Sequence, residues 1–300
     1  MLTKQNAIGL SVYGIDVKSA TSRQLDDLRD LLYAHRLIIL KEQVLEDEAY
    51  CDFSRKLMNP VPYLQDNYHH PDFPLIFVSS NVKEAGKQMG VARTGGYWHS
   101  DTSFEQDPKV ITMLMPKVLP ENHPRTTRFI DMGEVLANLP ETTRAAIERA
   151  ELMHSGRWRY KVRQENIGLD IFEILSLIDH YAPPVRHPAI ISHPYTGEKL
   201  LYANRGFTIA IADRSLDESE RVLSEIFDFA EQPRFVKEVR WSIGDIIIWD
   251  NRFLQHSSGR NSGPEEATMM FRITGFDSYP LCATMPKRTV ADRSLDSTRG

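Results

Sequence analysis

Cysteine, excess basic charge and long apolar runs are all scarce in this chain of 300 residues. Its two cysteines, Cys51 and Cys282, are too few for a disulfide scaffold or a cysteine-rich zinc site, which favours a reducing compartment. The net charge of −5 offers no basic surface for nucleic acid. No run approaches the about 18 apolar residues of a membrane span, and the first residues lack a signal-peptide layout. We therefore expect a cytoplasmic protein that binds neither nucleic acid nor membrane.

Regular alternation of strands and helices is also missing, and no Gly-x-Gly-x-x-Gly motif opens a helix, so the pattern disfavours a Rossmann fold. Short strands dominate the middle and end of the chain. Helices are predicted at about 22–36, 46–58, 140–150, 171–180 and 215–230. No repeat or linker divides the sequence. We predict one domain over residues 1–300, mainly β with helices (α+β), built as a jelly roll with flanking helices.

The segment Thr94–Phe104 carries the first candidate ligands, because it places His99 and Asp101 two residues apart. Residues i and i+2 of an extended strand point to the same face, so the imidazole and the carboxylate can reach one point. His256, shortly after the apolar run Ile246–Trp249, offers a third ligand. Two histidines and one carboxylate form the facial triad of non-haem Fe(II) oxygenases. His-x-Asp by itself is a weak signal that also fits a partly exposed strand end.

Arg272 lies within the apolar run Met269–Ile273. A buried guanidinium needs an anionic partner, because burying it unpaired is costly. Its planar fork of donors suits a carboxylate. We therefore predict that Arg272 points into the cavity that His256 enters and binds an anion there.

Four parts of the sequence resemble the taurine-dioxygenase (TauD/TfdA) family of Fe(II)- and 2-oxoglutarate-dependent oxygenases. They are Trp98–Asp101, Asn204–Thr208, Gly244–Arg252 and His256. The matches span most of the chain, and the shared strings are long enough to be specific. The resemblance implies a double-stranded β-helix, which is a cupin-like jelly roll, in agreement with the strand-rich pattern.

The same resemblance implies a role for individual residues. His99, Asp101 and His256 would hold Fe(II), and Arg272 and Thr127 would bind the far carboxylate of 2-oxoglutarate. The implied reaction uses O2 to oxidise an unactivated C–H or C–N bond of a small carboxylate or amino-acid-like substrate. It would release succinate and CO2.

A closer resemblance points to the iron enzymes that build an isonitrile in isonitrile-lipopeptide pathways, and so to specialised metabolism. It shows in Ile76–Val82, Gly86–Gly90, Tyr68–His70 and Phe129–Met132. That subgroup acts on an N-carboxymethyl β-amino acid and binds its carboxylate through loop tyrosines and basic residues. The implied substrate contacts are Tyr63, Tyr68, His69, Lys161, Arg163 and Arg260. Two positions depart from the subgroup, since Leu64 replaces a tyrosine and Arg260 replaces a histidine.

Three alternatives stay open. The taurine enzyme carries two arginines after its last histidine, whereas here Glu265–Thr268 occupies the earlier position and only Arg272 remains. That difference disfavours a sulfonate substrate, but a catabolic dioxygenase of sulfonates or amines stays an alternative. A zinc hydrolase with the same three ligands and a non-catalytic jelly-roll binding module are the others.

Basic residues alternate at positions 157, 159, 161 and 163, which predicts a solvated face of a strand. Lys161 within this run is also a candidate to meet substrate. The sequence does not decide the substrate, the atom that is oxidised, or whether the chain forms a homo-oligomer.

Overall fold

A computed structural model describes residues 1–84, 86–162, 164–259 and 266–283. Two predicted substrate contacts, Arg163 and Arg260, therefore lie outside the described residues. The helices are α1 Ser22–His35, α2 Asp47–Leu57, α3 Met132–Asn138, α4 Glu141–Ile147, α5 Ile171–Tyr181 and α6 Leu216–Ala230, with short 3-10 turns at Asp66–Tyr68, Arg157–Arg159 and Gln164–Asn166. Within these ranges, every helix is too short or too polar to cross a membrane.

Strands make up most of the remaining regular structure. In chain order they are β1 Leu2–Gln5, β2 Leu10–Tyr13, β3 Leu37–Leu40, β4 Asn59–Val61, β5 Phe77–Ser80, β6 Lys83–Glu84, β7 Lys87–Gln88, β8 Ile111–Val118, β9 Thr126–Asp131, β10 Glu151–His154, β11 Val185–Pro188, β12 Ile190–Ser192, β13 Lys199–Leu201, β14 Thr208–Ile211, β15 Val236–Arg240, β16 Ile246–Asp250, β17 Leu254–Ser258 and β18 Met269–Phe276. An eight-stranded sheet has the order β1-β2-β3-β16-β8-β18-β4, with β5 also paired to β18. Three-stranded sheets β15-β9-β17 and β11-β10-β14 and the pairs β12-β13 and β6-β7 complete the topology.

Strand β16 lies near the centre of the large sheet, between β3 and β8. All five of its residues are buried, as are all four of β3, because strands covered on both faces carry continuous apolar runs. Helix α1 contacts both strands. It buries Leu25, Leu28 and Leu32, whose helical spacing puts them on one face. This packing fixes β8 and β18, which carry two of the polar residues described below.

Most predicted elements are confirmed. Thr21 and Gln24 form the reciprocal capping box that opens α1, and Ser215 caps α6 by accepting a hydrogen bond from the Glu218 amide. Strands β12 and β13 form an antiparallel hairpin. Helix α3 was not predicted, because its seven residues are too few to show a clear helical period.

The predicted basic strand is wrong over residues 157–161, because the described cations there have separate partners. Residues Arg157–Arg159 form a 3-10 turn. The Arg157 guanidinium pairs with the Asp179 carboxylate of α5, with Nε donating to Oδ1 at 2.5 Å. The Arg159 guanidinium carbon lies 4.0 Å from the ring centre of Tyr97. These tertiary contacts outweigh the local strand pattern.

Gly9 provides a direct test of how closely the chain packs beside β3. It has φ of +66°, and a Cβ atom there would lie 2.1 Å from the carbonyl oxygen of Leu37. Gly14 has a similar φ of +69°, but a Cβ there would meet nothing within 4 Å. The Gly14→Ala variant therefore isolates the cost of the left-handed backbone, about 1–2 kcal/mol.

We predict that Gly9→Ala lowers the free energy of unfolding by about 1–3 kcal/mol more than Gly14→Ala, because the added methyl group must displace a strand backbone. Urea unfolding followed by circular dichroism measures both. Equal losses would contradict the close approach of Gly9 to β3.

Candidate active site

His99 and His256 face each other across a backbone bridge. The His99 amide donates to the His256 carbonyl at 3.0 Å, and the His256 amide donates to the His99 carbonyl at 2.8 Å. A pair that exchanges both hydrogen bonds places its side chains on the same face. The two imidazole centres accordingly lie 4.1 Å apart. The predicted convergence of these distant residues is present in the structure.

Asp101 completes the cluster. Its carboxylate oxygens lie 3.7 Å from Nε2 of His99 and 3.8 Å from Nε2 of His256. Thr112 on β8 donates its hydroxyl to Oδ2 at 2.7 Å, and Arg272 on β18 donates from Nη1 to Oδ1 at 2.5 Å. Burial raises the pKa of Asp101, but the Arg272 guanidinium, the imidazoles of His256 and His99 and the Thr112 hydroxyl together outweigh it, so the pKa falls to about 2. The carboxylate is therefore charged at neutral pH.

The two histidines are held in the form that binds a metal. Burial lowers the pKa of both imidazoles, so each is neutral at neutral pH. Nδ1 of His99 donates to the Tyr97 carbonyl at 2.7 Å, which leaves the Nε2 lone pair directed toward Asp101. Among the described residues, Nδ1 of His256 has no hydrogen-bond partner.

This cluster fits a divalent transition metal. One donor atom from each of His99, Asp101 and His256 lies within 4.8 Å of the others, and all three residues are buried. Two neutral imidazoles and one carboxylate are the donors of the facial triad, and they need lose no proton to bind. The geometry thus supports the ligand set expected from the sequence.

Arg272 and Thr127 line the same cavity as the three candidate ligands. The Arg272 guanidinium carbon lies 4.0 Å from the ring centre of Phe77, and its Nε has no acceptor among the described residues. The Thr127 hydroxyl on β9 accepts a hydrogen bond from the indole of Trp241 at 2.9 Å, so its own proton is free to point elsewhere. Both side chains can therefore donate to a further anion.

The cavity has a volume of about 1520 Å³, and all four described candidates for substrate contact line it. The rings of Tyr63 and Tyr68 pack edge to face, with centres 5.3 Å apart. His69 contacts the Tyr63 carbonyl through Nε2 at 2.7 Å. The Lys161 ammonium donates to the carbonyls of Ala92 at 2.6 Å and Arg93 at 3.2 Å, which fixes it at the cavity wall.

Arg125 is a cavity residue that the sequence analysis missed. Its guanidinium has no acceptor and no carboxylate partner within the part of the chain that the structure describes. Burial lowers its pKa, and no anion opposes that effect. The available signal was its position two residues before Thr127, which places both side chains on the same face of an extended chain.

The chain is similar to known proteins along nearly all of its length. Residues 2–274 match the family described as taurine catabolism dioxygenase TauD, TfdA family. The alpha-ketoglutarate-dependent 2,4-dichlorophenoxyacetate dioxygenase of Burkholderia sp. (strain RASC) is 31% identical over 255 residues, which cover 79% of this chain and 80% of that protein. An alpha-ketoglutarate-dependent sulfonate dioxygenase of Saccharomyces cerevisiae is 24% identical, over 91% of this chain and 66% of that protein.

A solved structure, that of AAD-2 in complex with Mn(II) and N-oxalylglycine, has a TM-score of 0.73 and 22% identity and covers 94% of this chain and 100% of that chain. The likeness confirms the predicted jelly roll with flanking helices. The family match favours an oxygenase over the zinc hydrolase and the non-catalytic binding module. The chain therefore belongs to the taurine catabolism dioxygenase TauD, TfdA family and is a 2-oxoglutarate-dependent dioxygenase of the non-haem iron type.

Proposed function

We propose that His99, Asp101 and His256 hold the ferrous iron of this enzyme. The observation that carries the proposal is their convergence within 4.8 Å on the wall of the cavity that Arg272 also lines. With iron and 2-oxoglutarate bound there, O2 would be the oxidant, and 2-oxoglutarate would supply two of the four electrons that O2 accepts and leave as succinate and CO2. The residues of the chain supply binding and orientation.

Arg272 and Thr127 bind the far carboxylate of 2-oxoglutarate in this proposal. The unpartnered Nε of Arg272 supports the role, since a guanidinium fork can serve Asp101 and a second carboxylate together. Phe77 stacks on the guanidinium and holds its plane. Trp241 fixes the hydroxyl oxygen of Thr127 by donating to it.

The substrate is anionic, because the cavity carries more positive than negative groups. Its described lining includes six cations against four carboxylates, an excess of two: Arg93, Lys109, Arg125, Arg159, Lys161 and Arg272 against Asp66, Asp101, Glu105 and Asp107. Fe(II) carries a charge of +2 and 2-oxoglutarate a charge of −2, so binding both would leave that excess of positive charge unchanged. The unpaired guanidinium of Arg125 is the group most in need of an anion.

We propose that this anion is a carboxylate on a small substrate whose C–H or C–N bond is oxidised. The planar fork of Arg125 suits a planar carboxylate, and the similar Burkholderia protein is named for an aryloxyacetate. The presence of Tyr63, Tyr68 and Lys161 on the cavity wall supports the isonitrile-type resemblance. An N-carboxymethyl β-amino acid therefore belongs in the first set of compounds to be tested.

The chain works as a single domain in this proposal, as the family match over residues 2–274 supports. A cytoplasmic location is supported by the low cysteine content, since the sequence has two cysteines, Cys51 and Cys282, and both are buried.

The choice of anion can be tested with pairs of compounds that share a carbon skeleton, such as hexanoate with hexane-1-sulfonate and phenoxyacetate with its sulfonate analogue. We predict that the carboxylates trigger 2-oxoglutarate-dependent O2 consumption with a kcat/KM at least about tenfold higher. Arg125→Gln should lower the carboxylate kcat/KM by about 10–100-fold, the value of a charge-assisted hydrogen bond. Higher turnover of the sulfonates would instead assign the enzyme to the sulfonate alternative.

The ligand assignment predicts that Asp101→Ala abolishes tight Fe(II) binding and substrate-triggered succinate formation, because one of three donors is lost. Thr112→Val is the matched control. It keeps the ligand but removes the hydrogen bond that orients it, so Fe(II) affinity should fall by about 10–100-fold and remain measurable. Anaerobic Fe(II) titration measures the Fe(II) affinity of both variants, and thermal unfolding checks that each variant is folded. Wild-type turnover in Asp101→Ala would refute the assignment.

The two guanidiniums on the cavity wall, those of Arg272 and Arg125, should affect different ligands. We predict that Arg272→Gln raises the dissociation constant of 2-oxoglutarate by about 10–100-fold, since it removes a charge-assisted hydrogen bond. Arg125→Gln should change that constant by less than about twofold, because we place Arg125 at the substrate. Anaerobic titration of the Fe(II)-loaded protein provides the measurement. The reverse pattern would exchange the two roles.

A further inference from the structure

The cavity is larger than its polar part requires. Its volume of about 1520 Å³ exceeds the roughly 300–1,000 Å³ of ordinary ligand sites. The candidate iron ligands and Arg272 occupy one region of its wall. A second region is apolar and consists of helix α5 and the chain on either side of it, through Leu169, Leu177, Ile178, Tyr181, Ala182 and Val185.

A continuous apolar path joins the metal cluster to this second region. The ring of Phe207 packs edge to face against the His99 imidazole, with centres 6.0 Å apart. Phe207 also contacts Phe104, with ring centres at 4.7 Å, and both cluster with Ala182 just after the end of α5. The cavity wall between His99 and α5 therefore includes a connected set of apolar side chains.

Helix α5 has a capped start and an ion pair near its end, and one side of it lines the cavity. Asp170 and Glu173 form a reciprocal capping box at its start. Arg157 pairs with Asp179 on its polar side. On the side of α5 that lines the cavity, the Leu177 side chain is 39% exposed and the Tyr181 side chain is 68% exposed. Apolar side chains that face a cavity and are left uncovered are typical of a ligand-binding surface.

We propose that this wall, made of α5 and the turn that follows it, binds an apolar tail of the substrate. The substrate is then amphiphilic, with a carboxylate at Arg125, the oxidised carbon near the metal cluster and an alkyl or aryl tail along Leu177 and Tyr181. The inference rests on the proposed function, because it assigns the other end of the same anionic molecule. Leu177 and Tyr181 determine specificity for tail length and take no part in the chemistry.

The test uses a series of straight-chain acids as probes: butanoate, hexanoate, octanoate and decanoate. Protein loaded with Fe(II) and 2-oxoglutarate is titrated calorimetrically without oxygen, so that binding is measured in the absence of turnover. We expect the dissociation constant of the wild-type protein to fall about three- to fourfold per added methylene, as burial of each CH₂ in an apolar site predicts. A dissociation constant that does not change with chain length would overturn the proposal.

Two variants on the same helix sharpen the test. Leu177→Gln places an amide on the wall and should reduce the gain per methylene to about twofold or less. Phe172→Gln is the matched control, because Phe172 is 75% exposed on α5 and does not line the cavity. It should keep the wild-type gain. Equal dependence on chain length in the two variants would also overturn the proposal.

Loss of the carboxylate contact and loss of the apolar tail contact give different results in this titration. Arg125→Gln should weaken all four acids by the same factor and leave the gain per methylene unchanged. If the protein does not bind Fe(II) and 2-oxoglutarate, the proposed function is wrong. The same series titrated into the unloaded protein then decides the tail site on its own, since chain-length dependence there supports it and its absence overturns it.

Discussion

The backbone bridge between His99 and His256 is the constraint on which the candidate active site depends. Two reciprocal hydrogen bonds, at 3.0 and 2.8 Å, join segments that are far apart in sequence. Because such a pair fixes the direction of both side chains, the two imidazoles cannot be displaced separately. The jelly roll provides this bridge by carrying His256 on β17 and bringing the loop before Asp101 against it. Secondary structure therefore sets the position of two ligands before any metal binds.

Burial of the Asp101 carboxylate is the second requirement, and it explains why Arg272 and Thr112 come from the large sheet. A buried charge is costly unless it is paired, and here a guanidinium and a hydroxyl on adjacent strands meet its two oxygens. The result is a carboxylate that stays charged beside two neutral histidines. The three-stranded sheet β15-β9-β17 thus contributes the His256 imidazole. The eight-stranded sheet contributes the Arg272 guanidinium and the Thr112 hydroxyl that bind Asp101, so the cluster includes residues from both sheets.

The sequence was informative where chemistry follows from short spacing along the chain, although the structure has a single bridge residue at His99 and a turn at Asp101 in place of a continuous strand. His99 with Asp101, and Arg272 within an apolar run, were predicted because period-two geometry is local. The basic run at 157–163 was wrongly predicted because Asp179 and Tyr97, its actual partners, are distant in sequence. Arg125 was missed for the same reason, since its lack of a partner is visible only when all neighbouring elements are in place. Long-range contacts determine whether such residues have partners, and the residue pattern of a single strand does not reveal those contacts.

The proposed roles fall on two kinds of structure, the packed strands and the segments that connect them. The groups that we propose to hold iron and 2-oxoglutarate lie on β9, β17 and β18 or are tied to them, where sheet packing leaves little freedom. The groups that we propose to contact the substrate lie on connecting segments: Arg125 just before β9, Tyr63 and Tyr68 between β4 and β5, and the wall formed by α5. Connecting segments tolerate change that a packed sheet does not. Relatives named for a sulfonate and for an aryloxyacetate are both similar to this chain along most of its length, and our proposal therefore places its substrate choice on the outer wall of the cavity.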